Sequence, residues 1–188
     1  MTEAAVVSVW ADESCLGNGR EGENPGGAGG LIEYVHPKSK ALSRFDYWLS
    51  EPATTNNRMA LRSAIEALKI LSRKEKRLNV VFTSDSQYLV KGMREWVPGW
   101  VARGWRRKEG EIVNLSLWKE LDAAAKAHRI DWQWVRGHNK HPQNEYADHL
   151  ATRAAREQTN SDGPVASLYG EWLESDRTKR RLEKRGQG

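Results

Sequence analysis

A single cysteine, Cys15, in 188 residues excludes an internal disulfide and argues against a structural zinc site. No stretch approaches the ~18 consecutive apolar residues of a membrane span. The N-terminal Met1-Thr2-Glu3-Ala4-Ala5 lacks a basic segment leading into an apolar core. These absences set the expectation of a soluble, untargeted protein of the reducing cytoplasm, with no membrane partner. The apolar pattern leaves no unpartnered stripe either, so a monomer is expected. Phenylalanine is scarce, with two Phe and five Tyr beside nine Trp. There is no room for a second catalytic domain, because a chain of this length builds one core and at most an appendage.

What is present is positive charge and indole. The net charge is +5 and the pI about 9.4. A basic surface interleaved with Trp suits a polyanion that carries flat bases. A solvated basic surface over a Trp-rich core fits the composition equally well.

The central stretch is Val80-Val81-Phe82-Thr83-Ser84-Asp85-Ser86-Gln87-Tyr88. Its β-branched apolar run predicts a buried strand that delivers Asp85 to its C-terminal edge, where a helix starts. Two more segments end in comparable acids, the Val-rich strand at 4–11 closed by Asp12 and the segment from Gly137 to Asp148. Open α/β sheets gather their chemistry at such edges, so three distant carboxylates could meet in a metal site. Taken singly, each Asp could equally cap a helix or turn.

Between them the pattern predicts a glycine-rich turn from Gly17 to Gly30, antiparallel strands at 31–36 and 41–50, and a long helix opened by a cap within Thr54-Thr55-Asn56-Asn57. The right-handed crossover then sets the Asp85 strand parallel to the first. A short helix at 86–93, a basic insert bearing Trp96, Trp100 and Trp105, a helix at 112–128, a strand at 130–135 and a helix at 142–157 follow. The expected fold is thus α/β, a five-stranded mixed sheet flanked by helices with a basic Trp-rich helical insert. Residues 1–158 are expected to form one folded domain carrying the acidic site, and 159–188 a charged C-terminal tail, either helical or disordered.

In this order the motifs resemble type 1 ribonuclease H, or ribonuclease HI. They are Asp12-Glu13-Ser14-Cys15-Leu16-Gly17-Asn18, Thr54 to Met59, Thr83 to Tyr88, the Trp96 to Trp105 insert, Asn114 with Trp118, and Trp134-Val135-Arg136-Gly137-His138 running on to Asp148. The resemblance spans roughly residues 5–157. It implies a ribonuclease H-like fold and an endonuclease that cuts the RNA strand of RNA/DNA hybrids, leaving 3′-OH and 5′-phosphate ends. It also implies two Mg2+ ions, replaceable by Mn2+, held by four carboxylates, three of them Asp12, Asp85 and Asp148. By the same resemblance His138 assists proton transfer or product release, and Thr55, Arg58 and Asn114 bind a phosphate of the DNA strand. Cys15, Asn18, Asn56, Asn57 and Gln87, with Ser86 beside them, face the minor groove and the RNA 2′-hydroxyls. Trp96 and Trp118 pack against deoxyribose, while Trp100 and Trp105 hold the insert together and Trp132 and Trp134 belong to the core. Asn56 and Asn57 could also serve as helix caps.

The fourth carboxylate departs from the family pattern. Where the family has Glu in the long helix this chain has Ala60, and where the family usually has Gly after the first Asp it has Glu13. Glu66 is no substitute, since six helical residues mean about 9 Å of rise and roughly 240° of rotation. Glu13 can restore the count as a metal ligand from the first strand. Against that, strand neighbours face opposite sides, so the strand must twist or end at Asp12. Three Asp plus water is the other solution, and a hybrid-binding module impaired in catalysis is the rival function.

Overall fold

The computed structural model describes residues 6–17, 24–137 and 141–186. Three strands open the chain, β1 (Val6–Cys15), β2 (Gly26–Val35) and β3 (Leu42–Glu51), paired as an antiparallel meander. Helix α1 (Asn56–Ser72) crosses to β4 (Asn79–Ser84), which lies parallel to β1. Then come α2 (Gln87–Lys91), a π-helical turn at Gly92–Trp96, α3 (Val97–Ala102) and α4 (Leu115–Ala125). They lead to β5 (Arg129–Trp134), parallel to β4, and to α5 (Pro142–Glu157), β6 (Val165–Ala166) and α6 (Tyr169–Gly186). The sheet order is β5-β4-β1-β2-β3-β6.

Six strands stand where five were expected. The extra one is β6, a two-residue antiparallel addition beside Phe45 and Asp46 on the outer edge of β3. It follows the Asn160 to Pro164 break, which returns the chain to the sheet rather than releasing it.

The glycine-rich stretch is the second departure. Residues 26–30 lie in β2, not in a turn. A Cβ at Gly27 would collide with the backbone of Ala151 and Ala155, and one at Gly29 would come within 2.5 Å of Leu150 Cβ and 2.8 Å of Ala151 N. These glycines let α5 lie on bare strand backbone, a packing demand that reads in sequence as turn chemistry.

Side-chain parity then divides the molecule. Val7, Val9 and Ala11 on one face of β1 enter the main core with α1, whose buried stripe includes Met59, Ala60, Ala64, Ile65 and Leu68. Trp10 on the opposite face packs against a second cluster of Leu31, Tyr146, Leu150 and Tyr169 beneath α5. The helical run after Asp85 is longer than the sequence pattern indicates, since α2 passes through the π-turn directly into α3. Helix α4, conversely, starts only at Leu115, because Asn114 at its N-cap takes a left-handed φ of 59°.

Candidate active site

Strand β4 ends at Ser84, which pairs with Ala11, so β1 runs on past the end of its parallel neighbour as far as Cys15. Asp12 and Glu13 occupy that overhang, paired to Gly29 and Ala28 of β2 on the other side. Parity sends Asp12 toward the α5 face and Glu13 toward the α1 face. With no β4 backbone alongside, both carboxylates reach round to Asp85, the first residue beyond β4. Oxygens of Asp12, Glu13 and Asp85 lie within 4.8 Å of one another. The objection raised by strand alternation is met by the stagger of strand ends, without β1 breaking off at Asp12.

Glu13 and Ala60 belong to the same α1-facing layer. Ala60 is buried at 1% exposure, and its small side chain leaves that layer open to a carboxylate arriving from the strand. Ser86 stands beside it: its hydroxyl counters the rise in the Glu13 pKa and accepts from Leu89 N as the N-cap of α2. One hydroxyl thus joins the helix start to the acid cluster.

The like charges strain one another. Loss of hydration pushes Glu13 up to about 8, with Asp85 and then Asp148 adding to the rise against the opposing Ser86 hydrogen bond. Burial raises the Asp12 carboxyl well above the usual carboxylate range, and Asp85, Glu13 and Asp148 reinforce it. Acids crowded in this way are relieved either by protons or by cations. An all-oxygen donor set without His or Cys suits hard divalent cations, so the residues present fit that group.

Asp148 stands next to this trio rather than within it. Its charge acts on both Asp12 and Glu13, and its Oδ1 accepts from Thr152 Oγ1 at 3.4 Å, one turn along α5. Between α5 and the trio lies a residue the sequence reading missed. Asn144, four positions before Asp148 and on the same helix face, donates from Nδ2 to Asp12 Oδ2 at 3.1 Å. Its own Oδ1 is buried with no hydrogen-bond partner among the described residues. Its position four residues before an acid, in the first turn of a helix, was the available signal.

Two backbone devices hold Asp85. Trp134 Nε1 donates to its carbonyl at 2.9 Å. Gly137 passes so close that a Cβ there would strike Asp85 Oδ2. Trp134 is therefore not a core residue: it is 44% exposed, whereas Trp132 is buried as expected.

The outlying site residues divide. Trp96 is partly buried and lines an open groove under the insert with Tyr88, Trp100 and Arg103. Trp118 is fully buried, which removes it from any sugar contact. Gly92 explains why, since a Cβ there would run into the Trp118 ring. The Trp118 indole donates to Tyr88 Oη at 3.1 Å, and Asn114 Nδ2 donates to the same hydroxyl at 3.3 Å. Tyr88 is thus the unforeseen hub that ties Asn114 to the insert. Trp100 packs against Trp96 and Trp118, in keeping with the expected role of holding the insert together.

Thr55, not Asn56 or Asn57, caps α1, its Oγ1 accepting from Arg58 N at 3.3 Å. Arg58 lies 3.7 Å from Glu51, and Cys15 Sγ donates to the Thr54 carbonyl at 3.5 Å. Asn57 and Gln87 are exposed near the start of their helices. Asn56 Oδ1 is buried with no hydrogen-bond partner among the described residues. Asn18 and His138 lie outside the described residues.

A family model described as RNase H matches residues 4–156. Ribonuclease HI of Caulobacter vibrioides is 43% identical over 152 residues, 80% of this chain and 93% of that protein. Ribonuclease H of Geotalea uraniireducens is 47% identical over 149 residues, 79% of this chain and 92% of that one. Among solved structures, LC9-RNase H1, described as a type 1 RNase H with the type 2 active-site motif, is 58% identical. It has a TM-score of 0.84 and covers 90% of this chain and 81% of its own. A family match across most of the chain, relatives above 40% identity and a shared fold together establish that the chain belongs to the ribonuclease H family.

Proposed function

We propose that this chain is a divalent-metal-dependent endonuclease that hydrolyses the RNA strand of RNA/DNA hybrids, leaving 3′-OH and 5′-phosphate ends, with Glu13 in the role the family gives to an acid on α1. The observation that carries it is the meeting of Asp12, Glu13 and Asp85 oxygens within 4.8 Å, beside Asp148. Mg2+, replaceable by Mn2+, supplies the positive charge that an in-line displacement at phosphorus requires.

The chain's own groups do the rest. Asp12, Glu13, Asp85 and Asp148 hold the cations. Ser86 orients Glu13, Asn144 orients Asp12, and Trp134 with Gly137 keeps Asp85 at the strand end. His138, next after Gly137 in the sequence, moves the proton. Trp96 at its groove, with Asn57, Gln87 and the Thr55 hydroxyl at their helix starts, seats the hybrid through sugar and phosphate, so cleavage tolerates many sequences. The enzyme acts as a monomer in the cytoplasm.

The test is a hybrid with labelled RNA, incubated with Mg2+, Mn2+ or chelator beside duplex DNA and duplex RNA. Metal-stimulated cutting of the hybrid alone is the expected result. Tight hybrid binding without cutting would instead favour the noncatalytic module.

A further inference from the structure

The family match ends at residue 156, yet the chain beyond it is built into the helix that carries Asp148. Tyr146, two residues before Asp148 on α5, donates from Oη to Asp46 Oδ2 at 2.6 Å. The same carboxylate oxygen accepts from Leu168 N at 3.1 Å. Asp46 is buried at 2% exposure, and its Oδ1 has no hydrogen-bond partner among the described residues. One buried oxygen therefore joins α5, β3 and the C-terminal segment. Around it the Tyr146 ring meets Tyr169 at 5.4 Å and Trp172 at 5.2 Å between centroids. Trp172 also reaches His149 at 6.2 Å, and Arg44 lies over the Tyr169 ring at 4.9 Å.

These contacts act on one helix from one side. The inner face of α5 sits on bare backbone at Gly27 and Gly29, where nothing can be adjusted. Beside that contact, on the same sheet-facing side, Tyr146 is held by the aromatic cluster and the Asp46 joint. A cap needed only for stability would be cheaper without a buried carboxylate, whereas polar joints of this kind define one geometry. Tyr146 lies between Asn144, which touches Asp12, and Asp148, so a change in the tilt of α5 moves both together.

We propose that the C-terminal segment, residues 165–173, sets the position of α5 for metal binding, with Trp172 and Tyr169 as positioning residues. This inference rests on the reading of Asp12, Glu13, Asp85 and Asp148 as metal ligands. The experiment compares full-length wild type with Trp172→Ala, Trp172→Phe and a remote core control, Leu71→Ala, at a temperature where all are folded. Mn2+ binding to the substrate-free protein is followed by electron paramagnetic resonance, alongside the Mg2+ dependence of cleavage, the KM for hybrid and the thermal midpoint.

Trp172→Ala is expected to weaken Mn2+ binding about 10-fold, the scale of loss when support around ligands is removed. KM should stay unchanged, Trp172→Phe should restore binding, and Leu71→Ala should bind as wild type despite lower thermal stability. Where Trp172→Ala does not fold, Trp172→Leu is read in the same way. Loss of thermal stability in Trp172→Ala with Mn2+ affinity intact overturns the proposal while the wild-type result upholds the site. Wild type that binds no Mn2+ overturns both.

Discussion

Glu13 and Ala60 show how much one residue's placement decides. Replacing Glu13 with Ala removes an acid of the central trio, and its cost should exceed that of losing a supporting group, about 100-fold or more in metal-dependent cleavage. Ala60→Glu in the wild-type background should help little, because it adds a like charge where burial, with Asp85 and Asp148, already lifts Glu13 to about 8. Steady-state cleavage of the two variants checks this, and equal activity of Glu13→Ala and wild type would rule out the relocated ligand. Asn144→Ala withdraws the amide from Asp12 and should weaken Mn2+ binding by about 10-fold, with the hybrid KM unchanged, as measured by titration calorimetry.

The acids were legible one by one, as residues closing strands or sitting in a helix after a loop. Asn144 was not, because an Asn in the first turn of a helix reads as ordinary local chemistry until Asp12 is found opposite. Trp118 and Trp134 were read the wrong way round for a similar reason. Indole burial depends on what packs above it, here Gly92 over one ring and open solvent over the other.

At the level of elements, periodicity located the strands and α1 well, because alternation and helical spacing are local properties. It failed at β2, where Gly27 and Gly29 serve Leu150, Ala151 and Ala155 of a helix far along the sequence, and at β6, whose two residues carry no period of their own. The junction of α1, α4 and β4 holds a further local device. His128 is buried, with Nδ1 accepting from Leu78 N at 3.4 Å and Nε2 3.1 Å from Ser72 Oγ, whose own proton goes to the Leu68 carbonyl. That pattern requires the neutral ring, and burial lowers its pKa from the usual 6.5. A lowered folded value means the unfolded chain takes up the proton first. The contribution of His128 is therefore complete above pH 6.5 and is lost as the pH falls below it toward the folded value. Urea unfolding of wild type and His128→Gln from pH 7.5 to 5 should show their stability difference shrinking across that window.

For the whole molecule, charge sets the behaviour with substrate. If the hybrid is seated through sugar and phosphate as proposed, a chain of net charge +5 should lose hybrid affinity steeply as salt rises, with a log–log slope of about −0.9 per phosphate neutralised. Fluorescence anisotropy with a labelled hybrid between 50 and 300 mM salt measures it, and a flat profile would contradict backbone-led binding. Divalent cations should raise the thermal midpoint of wild type by relieving the acid cluster, and chelator should reverse the gain. The same cation should stabilise Glu13→Ala less. Among the described residues no helix is long and apolar enough to cross a membrane.

Where α5 crosses β2 the helix touches the strand's own backbone at Gly27 and Gly29, with Leu31, Tyr146 and Leu150 packed beside that contact. A helix seated in that way cannot drift by degrees as rotamers flip, so it pivots as a single lever or stays put. Motion of Asp148 should therefore be two-state, and deuterium uptake at the amides of 150–155 should fall as the neighbouring ion site fills.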